Sequence, residues 1–179
     1  MLLAAAALVA GCGSGSDPKS AAPSPPDARR ALAGSPPALA ALHREGGRLL
    51  PGEERAFRAR LRALRGHPVV VNKWASWCPP CRKELPFFQR LSVELGREVA
   101  FLGVDSQDDA SDARAFIRRY PVAYPSYSDP DQHVAKVFAG HLAFPTTAFY
   151  DARGRLRFVH QGEYASEARL RQDIDRYAR

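Results

Sequence analysis

The chain has 179 residues, 45% of them hydrophobic and 25% charged, with a formal net charge of +7. That length and ordinary composition leave room for one domain with a real core plus a tail. The basic excess lies mainly before residue 67, with nine basic and four acidic residues over 27–66 against sixteen and fourteen over 67–179. It reads as a solvated Arg-rich face that an anionic membrane would attract, and no nucleic-acid partner is expected.

Residues 1–12 begin with a short apolar run, Leu2 to Ala10, ending in small residues before Cys12. About 18 or more apolar residues are needed to span a membrane, so the run reads as a secretory signal. Val9-Ala10-Gly11-Cys12 resembles the bacterial lipobox. That resemblance implies lipidation at Cys12 and an extracytoplasmic, membrane-anchored protein. Residues 13–45 are rich in Gly, Ser, Pro and Ala and read as a disordered tether. Residues 46–179 read as the folded domain, with its core over 66–179.

Glu53–Arg65 predicts a short basic helix. From Val69 onward the pattern alternates. Val69–Ala75 predicts a strand, Pro79–Leu95 a helix containing Pro86, and Val99–Val104 a second buried strand. Helices are expected over Asp109–Tyr120 and, shorter, over Asp131–Phe138. Ala143–Tyr150 and Leu156–His160 read as strands joined by a Gly-containing turn, and Ser166–Tyr177 closes the chain as an amphipathic helix. The order predicts an α/β fold, a mixed central sheet flanked by helices.

The chemistry centres on Trp77-Cys78-Pro79-Pro80-Cys81. Cys78 falls at the start of the expected helix, where unpaired N–H groups and the helix dipole favour a thiolate. The thiolate is the species that attacks disulfides. Cys81, one turn on, is within reach to close a disulfide. Pro79 and Pro80 sit where their missing N–H groups cost nothing. Glu84 is one further turn along, and burial would raise its carboxyl pKa into the range useful for proton transfer.

Val71 to Pro86, with Phe144-Pro145-Thr146-Thr147 some 65 residues beyond the cysteines, resembles the TlpA/ResA-like thiol–disulfide oxidoreductases of the thioredoxin superfamily. The resemblance covers about 66–179. It implies a thioredoxin-like fold with Cys78 and Cys81 as a redox-active disulfide, no other cofactor and no metal. Glu84 would tune the thiols, and Pro145 would be cis. Trp77, Phe144, Pro145 and Thr146 would form the surface that receives substrate. Implied partners are substrate proteins bearing thiols or disulfides, such as apocytochrome c, and a membrane electron donor of the CcdA type. Asn72 stands where thioredoxin has a buried Asp, so proton handling passes to Glu84. Lys73 departs from the aromatic residue usual in the family and is expected at an exposed sheet position.

Reduction is the direction the resemblance favours, as in cytochrome c maturation. Oxidative folding of secreted proteins is the alternative, because the same motif serves both. A copper-handling role would need a third ligand, for which His141 near the Pro145 loop is the available residue. Structural zinc would need four ligands, which this sequence does not offer at the required spacing.

Overall fold

The run Val69–Trp74 forms a strand, β2, buried along its whole length, and the other elements are arranged around it. The computed structural model describes residues 22–179. Before β2 come α1 (Pro25–Ala31), α2 (Pro37–His43), β1 (Leu49–Pro51) and α3 (Glu54–Ala63). After it come α4 (Pro79–Glu94), β3 (Ala100–Ser106), α5 (Ala110–Arg119), β4 (Ser126–Asp129) and α6 (His133–Val137). Then β5 (Thr146–Tyr150), β6 (Leu156–Gln161) and α7 (Glu167–Asp173) complete the order, α7 running on into a last turn, Ile174–Ala178.

The strands form one sheet in the order β1-β4-β3-β2-β5-β6. The pairs β1–β4, β3–β4 and β2–β3 are parallel, while β2–β5 and β5–β6 are antiparallel. Parallel neighbours need long crossovers, which α4 and α5 supply; the antiparallel β5–β6 pair needs only a turn. Gly154 takes φ +77° in that turn, which suits a residue without Cβ. This is the mixed α/β sheet the sequence predicts.

Because β2 is covered on both faces, its alternate side chains enter two different cores. Val69 and Val71 join Leu102 and Val104 of β3 beneath Phe57 of α3 and Val134 and Ala135 of α6. Val70, Phe101 and Phe149 pack instead against Phe88 and Leu91 of α4 and Leu170 of α7. Each such Leu or Phe contributes about 1.5–3 kcal/mol by leaving water. In β3, Gly103 is required by close approach. A Cβ there would lie 2.1 Å from Ser126 Oγ and 3.0 Å from Trp74 Nε1, two atoms that hydrogen-bond each other at 3.2 Å.

Several expectations change. The tether was expected to run to residue 45, yet α1 and α2 are folded and Leu39 and Leu42 are wholly buried in the main core. Pro-rich composition conceals two helix starts. Ser24 caps α1 by accepting the Asp27 N–H, and both helices carry proline in their first turn. Strands β1 and β4 were not foreseen. The signal peptide, Cys12 and the earlier part of the tether lie outside the described residues.

Candidate active site

Cys78 is the N-cap of α4, and its Sγ accepts the Cys81 N–H at 3.2 Å. That N–H is one of the donors the first turn leaves without an intrahelical acceptor, so the sulfur that would carry negative charge already faces one. Pro79 and Pro80 open the helix. Cys78 and Cys81 are joined in a disulfide, Cα to Cα 5.3 Å, and both are buried. They pack with Trp74, Leu85, Phe116 and Ile117. The helix continues through Pro86, whose missing N–H leaves the Arg82 carbonyl without its intrahelical partner.

Glu84 is only 1% exposed. One carboxyl oxygen accepts from Asn72 Nδ2 at 2.9 Å and the other from the Tyr164 backbone N–H at 3.0 Å. Burial outweighs both hydrogen bonds and, with the nearby Glu163 charge adding, lifts the carboxyl to about 8. At neutral pH it therefore holds its proton. In this oxidised form the hydrogen bonds of the side chain go to Asn72 and Tyr164. Tyr164 was not legible from sequence, since it is separated from Glu84 by 80 positions.

The Phe144–Pro145 peptide bond is cis, as the resemblance implies. Thr146, just beyond it, is buried and donates its hydroxyl to the Ala143 carbonyl at 2.8 Å. Phe144 packs against the cysteine cluster and lies 4.9 Å, centroid to centroid, from the ring of Trp77. Trp77 is 51% exposed, and nearby Leu142 is 72% exposed. The cis-proline loop and the residue before Cys78 thus present an aromatic surface beside the disulfide.

Lys73 is not on an exposed face: it is wholly buried. Alternation places it on the same side as Val69 and Val71, a side that α3 and α6 cover. Its Nζ lies 3.5 Å from the Phe144 ring centroid and 3.4 Å from Gln132 Oε1. Burial lowers its pKa to about 8, with Asp129 opposing. Asp129 is already engaged, accepting the N–H groups of Val134 at 2.9 Å and Ala135 at 2.8 Å and the Ser106 hydroxyl at 3.1 Å.

A second buried acid was missed. Asp105, at the C-terminal end of β3 beside Trp74, is buried with neither oxygen hydrogen-bonded. Burial, then the neighbouring carboxylates of Asp108 and Asp129, push it up to about 9. Asp108 in turn accepts the Ser76 N–H and, at 2.9 Å, its hydroxyl. The Trp77 indole N–H donates to the Gln107 carbonyl at 2.8 Å. The loop after β3 therefore holds the two residues that precede Cys78. An acid ending an apolar strand was the available signal.

His141 is exposed on the single turn Gly140–Leu142. Among the described residues, no three His, Cys, Asp or Glu side chains are grouped to hold a metal ion.

Residues 56–174 match the family described as Redoxin. The chain is 30% identical over 103 residues to the thiol-disulfide oxidoreductase ResA of Halalkalibacterium halodurans, covering 57% of this chain and 58% of that protein. It is 37% identical over 100 residues to the thiol:disulfide interchange protein DsbE of Allochromatium vinosum, covering 55% and 54%. The chain thus spans a little over half the length of these two curated relatives. Among solved structures, Mycobacterium tuberculosis DsbF, in mixed oxidised and reduced forms, superposes with a TM-score of 0.59 at 31% identity, over 64% of this chain and 84% of that one.

Proposed function

This chain belongs to the redoxin family, its domain is that of a TlpA/ResA-like thiol–disulfide oxidoreductase, and from that premise we propose that it reduces disulfides in extracytoplasmic proteins. The observation that carries the exchange chemistry is the Cys78–Cys81 disulfide capping α4, with protonated Glu84 one turn beyond it.

In the reductive cycle, the Cys78 thiolate attacks one sulfur of a substrate disulfide. The other substrate sulfur leaves as a thiolate, and a mixed disulfide forms. Cys81 loses its proton, attacks Cys78 Sγ and releases the second substrate sulfur. Both electrons have then passed to the substrate and the Cys78–Cys81 bond is restored. Regeneration runs the same steps in reverse against a dithiol donor. When the internal disulfide opens, Cys81 leaves as a thiolate, and neutral Glu84 is the acid available to protonate it. In the forward direction the Glu84 carboxylate takes that proton back. The two electrons are carried by the reduced Cys78 and Cys81 thiols and leave as their disulfide forms, so this cycle calls for no bound cofactor.

The exposed Trp77 with Phe144 supports a polypeptide substrate, since the paired rings form an apolar platform beside the cysteines. Apocytochrome c fits this reading as a substrate class. Cys12 would carry the lipid that holds the domain at the extracytoplasmic face of the cell membrane, and a CcdA-type membrane protein would supply electrons. Thiol oxidation in protein folding is the second reading, favoured by the helix N-terminus that stabilises a Cys78 thiolate and hence the reduced form.

The deciding measurement is the reduction potential against glutathione, together with the Cys78 pKa. A potential near thioredoxin's, about −270 mV, supports reduction, whereas one near DsbA's, about −120 mV, refutes it. The Cys81→Ser protein should trap substrates as mixed disulfides, and recovery of none from membranes would count against exchange.

A further inference from the structure

We propose that Lys73 is a positioning residue for substrate: its ammonium grips the face of the Phe144 ring and so fixes one half of the aromatic surface beside Cys78. This rests on the exchange reaction above and assigns a role to a residue that reaction does not use.

Stability gives no reason for a lysine here. Burying an ammonium is costly, and an apolar side chain of similar length would fill the same space without that cost. Among the described residues, the one anion close enough to raise its proton affinity is Asp129. That carboxylate is taken up by two N–H groups at the start of α6 and by the Ser106 hydroxyl. What the ammonium does contact is the face of Phe144 at 3.5 Å and Gln132 Oε1 at 3.4 Å. A desolvated cation over a ring is a directional attraction, and it acts on the residue that leads into cis-Pro145. Phe144 also meets Trp77 at 4.9 Å and packs on the cysteine cluster. The indole N–H is tethered to the Gln107 carbonyl. Two fastenings, one to each ring, therefore hold the aromatic pair beside the disulfide. Lys73 pairs with Thr146 across β2 and β5, so the same residue is joined to the loop through backbone and side chain.

The test is a double-mutant cycle on the full chain with Lys73→Met, Phe144→Leu and both together, plus Lys73→Arg. The probes are insulin, whose chain must lie against the aromatic surface, and glutathione disulfide, which covers little of it. Near-ultraviolet circular dichroism and melting normalise each rate to folded protein. Each single variant should lose about fivefold or more in kcat/KM on insulin, mainly through KM, with a smaller loss on glutathione disulfide. The double variant should be no worse than the poorer single, and Lys73→Arg should recover part of the loss. In wild-type protein the Lys73 ε-methylene protons should be shifted upfield by the ring, and Phe144→Leu should abolish that shift. Additive losses, equal losses on both probes, or an unshifted ε-methylene would overturn the proposal. Wild-type protein inactive on both probes would overturn the exchange reading and this proposal with it. Activity with no coupling would overturn this proposal alone.

Discussion

Replacing Glu84 by Gln should flatten the pH dependence of folding stability. The carboxyl is raised from 4.5 in the unfolded reference to about 8 in the folded protein. Between those values the unfolded chain has released the proton and the folded protein retains it. The folded state thus binds more protons, and its stability falls as pH rises through this window. The stabilisation is fully present below 4.5 and lost by the time pH passes 8. Within the window the slope is about 1.4 kcal/mol per pH unit, so the contribution to the change between pH 5 and 7 is about 2.7 kcal/mol. Asp105, raised to about 9, adds a slope of the same sign, and His43, lowered by burial, opposes it near its own titration. Both groups remain in the variant, so subtracting one curve from the other isolates Glu84. The assay is urea unfolding of the oxidised protein at pH 5, 6 and 7, with and without Glu84→Gln. The Gln amide can still accept from Asn72, but it presents an NH2 to the Tyr164 N–H. That mismatch costs about 1–3 kcal/mol at every pH and leaves the slope difference intact. Parallel curves, differing by less than about 0.5 kcal/mol in slope over the range, would refute the assignment. The same variant should exchange disulfides about 10²-fold more slowly, the usual loss on removing a general acid.

Three further outcomes follow from particular contacts. Leu39→Ala should destabilise the protein by about 2–5 kcal/mol in urea titration, since Leu39 is wholly buried; a loss under about 1 kcal/mol would mean that α2 is not part of the core. Gly103→Ala should cost about 1–3 kcal/mol through the clash with Ser126 Oγ, and adding Ser126→Ala should restore part of it. Asp108→Ala should release the turn before Cys78, lowering exchange several-fold and shifting the emission of exposed Trp77; unchanged emission would separate Asp108 from the indole's position.

What was readable in the sequence was what local patterning dictates. The Val69–Val71 run, the proline-capped helix after Cys78 and the Phe144-Pro145 turn are each defined by neighbours in the chain. β4, Ser-Tyr-Ser-Asp, has no alternation to announce it and exists because β1 and β3 flank it. β1 is three residues long and ends in Pro51, which suits its place at the sheet edge. Lys73 was misplaced for an instructive reason. A strand that is apolar on both faces has no exposed side to offer, so its one charged residue had to be buried. The position two residues after Val71 already implied which core it would enter. The Glu84 site was half legible: its spacing from Cys81 is local, but its acceptor geometry depends on Asn72 and Tyr164, brought in by other elements.

The bond from the Tyr164 N–H to Glu84 ties the far end of the chain to the redox centre. That same residue donates its hydroxyl to Asp173 on α7 at 2.9 Å, and α7 docks against α4 through Leu170. The final helix is therefore a trim on the acidity of the active site. A fusion or truncation that loosened it would strip the carboxylate of a donor and tighten Glu84's hold on its proton. The thiols would then be retuned without any change to the Cys-Pro-Pro-Cys turn itself.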